Sequence, residues 1–166
     1  RWHPHQLAAA HKLGDLFPLY FAALASGLGL ASYLNSKLVH KFGMRRLCRA
    51  ASILICCLTV VFVGVVYQMN GIPPLFLFMA FMMPAFFCFG ILYGNFVALA
   101  MEPLGHIAGV GASVVGSISS LISVPLGALI GQQFNGTVLP LVIGFSVFSV
   151  TTFGLMCWVE YGRKEL

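Results

Sequence analysis

The chain has 166 residues, of which 60% are hydrophobic and 8% charged, with a formal net charge of +5 and a mean hydropathy of +0.96. An average soluble domain carries about 25% charged residues, so a water-soluble fold could not hide this much apolar side chain. Lipid is therefore the expected solvent for most of the chain, and soluble-domain functions are set aside.

A polar leader, residues 1–15, comes first, with His3, His5 and His11. An H-P-H pair alone is a weak metal signal, and solvated histidines are the expected reading. The chain opens on Arg1 and is expected to be a fragment or an incompletely recovered sequence. Crossing a bilayer as a helix takes about 20 apolar residues at ~1.5 Å each. Five blocks meet that length, approximately Leu16 to Val39, Leu47 to Met69, Pro74 to Met101, Ile107 to Gly131 and Val138 to Tyr161. The expected fold is an all-α integral membrane bundle over 16–161, with a short tail at 162–166. A signal peptide does not account for the first block, which lies behind the leader and ahead of four further blocks.

In the first block Ala23, Gly27, Ala31 and Asn35 stand four apart, on one helix face. Plain helix packing is the favoured role, and a cavity lining that includes Asn35 is the alternative. The following loop gathers Lys37, Lys41, Arg45, Arg46 and Arg49. The second block, around Ile53 to Val63, is apolar all round, as is the fifth, so both are expected to face lipid over much of their circumference.

The third block holds Asn95 and Glu102, seven residues or two turns apart on one face, and ends at Pro103. Asn95 is a cavity candidate. Glu102 is an interface acid at the negative end of a helix dipole, so Arg45 or Arg46 is expected to compensate it. A hydrated, unpaired Glu102 is the alternative.

The fourth block carries Gly109, Ser113, Gly116, Ser120, Ser123, Gly127 and Gly131 at spacings of three and four. In lipid no hydrophobic force joins helices, and small residues permit the close approach that does. This block is expected to be a packing helix. Its serines, Ser120 among them, could line a polar cavity or bond their own backbone. Pro125 would serve as a hinge or stand as a tolerated kink.

Orientation follows from the basic residues, because short basic loops stay in the cytoplasm. Lys37, Lys41, Arg45, Arg46, Arg49, Arg163 and Lys164 fall on one side of a five-span chain, against Arg1 and Lys12 on the other. The loop and the C-terminus are then cytoplasmic, and the net charge records topology rather than a nucleic-acid partner. Of the five cysteines, Cys56, Cys57, Cys88 and Cys157 lie within blocks and Cys48 at the start of one, with no CxxC spacing. They are expected to pack, with no metal and no cofactor. No HExxH, GxSxG or paired intramembrane aspartate is present, so no enzyme activity is expected.

The stretch Asn35-Ser-Lys-Leu-Val-His-Lys-Phe-Gly-Met-Arg-Arg-Leu resembles the short basic loop that major facilitator transporters repeat in each half. Residues 94–113, Gly-Asn-Phe-Val-Ala-Leu-Ala-Met-Glu-Pro-Leu-Gly-His-Ile-Ala-Gly-Val-Gly-Ala-Ser, look like the loop between the tenth and eleventh helices of the Bcr/CflA drug-resistance branch. The resemblance implies that the five blocks correspond to helices eight to twelve of a twelve-helix fold, in a multi-pass protein of the bacterial inner membrane. It implies proton-driven export of amphipathic drugs by rocking of two six-helix halves. The missing N-terminal half would be the obligatory partner, the proton gradient the only energy source, and the chain alone could transport nothing.

Lys41, Gly43, Arg45 and Arg46 would then form a gating loop, Asn35, Asn95 and Ser120 a cavity, and Gly109, Ser113, Gly116, Pro125 and Gly127 a sliding and hinge surface. Leu38, Lys41, Gly43 and Arg45 match the family loop, whereas Ser36 and His40 stand where it has Gly and Asp. Asp15, Glu102, Glu160 and Glu165 all fall at or near block ends, which leaves the proton-carrying acid to the missing part. The alternatives are a non-transporting partner in a helix bundle and an inactive truncated remnant.

Overall fold

In the computed structural model the backbone is described for residues 4–162, and side chains for residues 18–162 apart from Glu160. Expectations that rest on Arg1, Arg163, Lys164, Glu165 and His3, and on the side chains of His5, His11, Lys12, Asp15 and Glu160, lie outside the described residues. Five α-helices account for nearly everything else: α1 (Pro4–Phe42), α2 (Met44–Gln68), α3 (Leu75–Met101), α4 (Ala108–Gln132) and α5 (Leu139–Gly162). A six-residue 3-10 segment, Glu102–Ile107, joins α3 to α4. Among the described residues there is no strand. The backbone of residues 4–15, expected as a leader, continues into α1 without a break.

Three helical stretches are long and apolar enough to cross a membrane: Met44–Gln68, Leu75–Gln132 and Leu139–Val159. The middle one, 58 residues, would be about 87 Å long if straight, far beyond a ~30 Å hydrocarbon core. It consists of α3 and α4, turned back on each other by the 3-10 segment. Over its described residues α1 does not reach that apolarity. Ser26, Gly27, Gly29, Ser32 and Asn35 dilute it, which leaves the first expected span outside this set.

The connections show how the helices alternate. Gly43, the single residue between α1 and α2, has φ 80° and ψ 152°, a conformation that only glycine adopts without strain. Its N–H closes α1 on the Val39 carbonyl at 2.8 Å, and its own carbonyl opens α2 by accepting from the Leu47 N–H at 3.2 Å. At the other end of α2, Asn70 (φ 53°) and Gly71 (φ 83°) make the turn into α3. The Val138 N–H donates to the Gly71 carbonyl at 3.0 Å, tying this turn to the start of α5. The ends of α1, α3 and α5, and the starts of α2 and α4, therefore share one end of the bundle, while the ends of α2 and α4 and the starts of α3 and α5 share the other.

Helix α2 packs between α3 and α5, and α3 packs between α1 and α2. Its buried residues Leu47, Cys48, Ala51, Ser52, Ile55, Thr59, Phe62 and Val66 follow the three-and-four spacing of one helix face. Phe62 stacks on Phe81 of α3 with centroids 4.1 Å apart, and Phe89 of α3 meets Phe145 of α5 edge-on at 5.4 Å. The opposite face of α2, with Leu54, Val60 and Val61, is exposed. An apolar circumference thus allowed α2 to face lipid, yet half of it forms the centre of the core.

Helix α4 behaves in the opposite way. Gly111 is its one buried residue, held by Leu104 and Met101, and near its far end Ile130 lies against Gly144 of α5. Between these points Val114, Ile118, Leu121, Ile122, Val124 and Leu126 are exposed. Helix α4 is continuous through Pro125.

Candidate functional site

The small-residue face of α1 is a packing face. A methyl group placed on Gly27 would sit 3.8 Å from the Met83 carbonyl of α3, and one on Gly90 would sit 2.8 Å from Ala31 Cβ. Contact at Ala31 and Gly90 is thus as close as two helices allow. Gly27, Ala31 and Asn35 meet α3 in the order Met83, Gly90 and Asn95, so α1 and α3 run parallel.

This seam ends in a polar lock. The Asn95 side-chain amide donates to Asn35 Oδ1 at 2.6 Å and to the Ile91 carbonyl at 2.8 Å, which uses both of its N–H bonds. Asn95 is buried at 1% exposure, and Asn35 is half-buried. The structure therefore brings two of the three cavity candidates together, in a direct bond between helices. Ser120, the third, is exposed on α4 and is not part of this cluster.

The basic residues collect at the end where α1 passes into α2. Lys37, Lys41, Arg45, Arg46 and Arg49 are all exposed there. Lys37 lies over the Tyr33 ring at 4.5 Å and Lys41 over Phe42 at 5.4 Å, so both ammonium groups are held along α1 by cation–π contact. Glu102 follows directly on the last residue of α3, at the same end. Its Oε2 is 3.9 Å from an Arg45 guanidinium nitrogen, with the two side chains 59% and 49% exposed. Of the two arginines expected to compensate this carboxylate, Arg45 is the one paired with it. The contact is long and solvated, worth at most about 1 kcal/mol, and it ties the start of α2 to the end of α3.

Among the described residues the stripe on α4 has no partner. Nothing lies within 4 Å of a methyl group placed on Gly109, Gly116, Gly127 or Gly131. Ser113 donates to the Gly109 carbonyl at 3.0 Å, the backbone alternative for such a serine. Among the described residues no other helix covers Gly109, Gly116 or Gly127, and Ser113 is exposed.

Three buried polar side chains went unnoticed in the sequence. Thr59 donates to the Ile55 and Cys56 carbonyls at 2.9 and 3.1 Å, Ser149 to the Phe145 carbonyl at 2.6 Å, and Ser52 reaches the Met156 sulfur at 3.9 Å. Among the described residues no buried side-chain nitrogen or oxygen lacks a partner. The five cysteines are free thiols, Cys48 and Cys88 buried. Among the described residues no three His, Cys, Asp or Glu side chains gather as a metal site would require.

Two adjacent hollows open between α3 and α5, where both helices lean on α2. One, of about 440 Å³, lies at the basic end under Arg45 and Glu102. The other, of about 290 Å³, lies deeper and shares Phe96 and Thr152 with the first. No family model, curated protein or solved structure matches the chain.

Proposed function

We propose that this chain is most of the C-terminal half of a proton-coupled exporter of the major facilitator type, Bcr/CflA branch, that expels amphipathic drugs across the bacterial inner membrane. In this reading α1 to α5 are five crossings, the equivalents of helices eight to twelve, and α3 and α4 are separate crossings joined at the interface by Glu102–Ile107. The basic end and the C-terminus are cytoplasmic. The observation that carries the reading is α4, an apolar helix of spanning length whose small-residue face is bare from Gly109 to Gly131. Such a face serves close helix approach in lipid, and it calls for a partner outside this chain, which the missing half would supply.

Each candidate residue then has a role. Gly43 sets the tight reversal between α1 and α2, and Lys41, Arg45 and Arg46 stand around it as the gating cluster. The Arg45–Glu102 contact links that cluster to the helix carrying Asn95, so a shift at the cytoplasmic end is passed to the lock with Asn35. A contact this exposed can break and reform within a transport cycle, which a gate requires.

The test uses the complete coding sequence containing this chain, expressed in a bacterium lacking its own drug pumps. The expected result is higher resistance to amphipathic antibiotics, lost in the Arg45→Ala, Arg46→Ala double variant at equal membrane abundance. Resistance to no compound would remove the exporter reading in favour of a non-transporting bundle partner or a remnant. Resistance unaffected by the double variant would remove the gating role alone.

A further inference from the structure

The furrow between α3 and α5 lies at the basic end beneath Arg45 and Glu102, apart from the Asn35–Asn95 lock. Its walls are apolar, Phe96 and Leu99 on one side and Leu155 and Met156 on the other, and its mouth is framed by Arg45 and Glu102. Leu155 is 53% exposed, so the furrow opens sideways, in the direction of lipid, rather than being sealed within the bundle. The adjacent hollow, which shares Phe96 and Thr152 with it, is lined by Ser52 and Ser149, whose hydroxyls are already spent on Met156 and on the Phe145 carbonyl. Thr152 and Tyr93 carry the remaining hydroxyls of the lining; the rest is predominantly apolar, a surface that suits an alkyl chain.

The mouth is different. Arg45 is the second residue of α2 and Glu102 the first after α3, so both stand at the level where helices leave the hydrocarbon. Their 3.9 Å contact is longer than a charge-assisted hydrogen bond of about 2.7–2.9 Å. Most of the five guanidinium donors and of the carboxylate lone pairs therefore have capacity to spare. An occupant with a phosphate and, a few bonds away, an ammonium bearing N–H groups would satisfy both charges together. A headgroup with phosphate alone would bring its charge beside Glu102, and a quaternary ammonium has no N–H to donate.

We propose that this furrow is a binding site for a phospholipid with a primary-amine headgroup. The phosphate would sit on Arg45, the ammonium on Glu102, and one acyl chain would follow the furrow past Phe96 and Leu155. The proposal rests on membrane residence and on this geometry, and stands whether or not the chain exports anything.

The purified, delipidated chain in detergent is titrated with phosphatidylethanolamine, phosphatidylcholine and phosphatidylglycerol of identical acyl chains, and bound lipid is counted by native mass spectrometry. One extra charge-assisted hydrogen bond is worth about 1 kcal/mol or more, so the ethanolamine lipid should bind at least about fivefold tighter than the other two. Stepwise N-methylation of its headgroup should remove that preference without any change to the protein. Glu102→Gln, with helicity unchanged by circular dichroism, should lower ethanolamine-lipid binding to the level of choline lipid. Arg45→Ala should weaken all three lipids, since each carries the phosphate, and Leu155→Trp, filling the furrow, should do the same. Equal binding of the three lipids, a preference for phosphatidylglycerol, or a preference that survives full N-methylation would overturn the proposal. Displacement of the lipid by an amphipathic cation lacking phosphate, at lower concentration than the lipid itself, would also overturn it, in favour of a drug subsite.

Discussion

The bond between Asn95 and Asn35 gives the most exact prediction about what holds α1 to α3. Truncating Asn95 to Ala removes two hydrogen bonds and part of a side chain that is 1% exposed, which should cost about 2 kcal/mol. The share that belongs to the pair is smaller. Hydrogen bonds between membrane helices average about 0.6 kcal/mol and reach about 1.7. At 2.6 Å and away from water, this bond belongs in the upper part of that range, at about 1 kcal/mol. A double-mutant cycle of Asn35→Ala and Asn95→Ala isolates it, because each single truncation already loses the bond and the double variant cannot lose it a second time. Reversible unfolding in mixed micelles of denaturing and mild detergent, followed by far-ultraviolet circular dichroism, reads the coupling as about a fivefold shift in the unfolding constant. A coupling below about 0.3 kcal/mol would refute the lock and leave Ala31 against Gly90 as the seam's main support.

Gly90→Val should push α1 off α3, because its Cβ would lie 2.8 Å from Ala31 Cβ, and Ala31→Gly should partly restore the unfolding midpoint. Gly43→Ala should cost about 1–3 kcal/mol through backbone strain at φ 80°, read in the same unfolding assay, although nothing lies within 4 Å of the added methyl. Glu102→Gln should change stability by less than about 1 kcal/mol, because its partner is half-exposed; a larger loss would mean that the pair is structural. Gly116→Leu and Gly127→Leu should leave the melting temperature of this chain within about 1 °C, since their side chains would enter open space; under the proposed exporter function, where a partner covers this face, they should abolish drug resistance.

The all-helical architecture was legible because hydropathy and length act on every residue alike. Helix ends were close to the sequence boundaries wherever a backbone rule set them, at Gly43, at Asn70–Gly71 and at Glu102–Pro103. Which helix packs was harder to read. The three-and-four spacing of Cys48, Ser52, Ile55, Thr59, Phe62 and Val66 was marked in α2 only by the small or polar Cys48, Ser52 and Thr59 within an apolar run, and uniform hydropathy masked the rest. Helix α4 shows the converse: a face of Gly and Ser states that a neighbour can approach closely, not that one is in the same chain. The pairing of Asn35 with Asn95 depends on the parallel register of α1 and α3, 60 residues apart in sequence, which no local pattern encodes. The furrow under Arg45 and Glu102 was equally invisible, since it arises from the packing of α3 and α5 against α2.

The exporter claim is tested most directly by loading pump-deficient cells that express the complete protein with a fluorescent amphipathic cation and following its release after energisation. The account predicts outward transport that exceeds the empty-vector control and stops when the proton gradient is collapsed. Release equal to the control for a panel of such cations, with the protein present in the inner membrane, would contradict it.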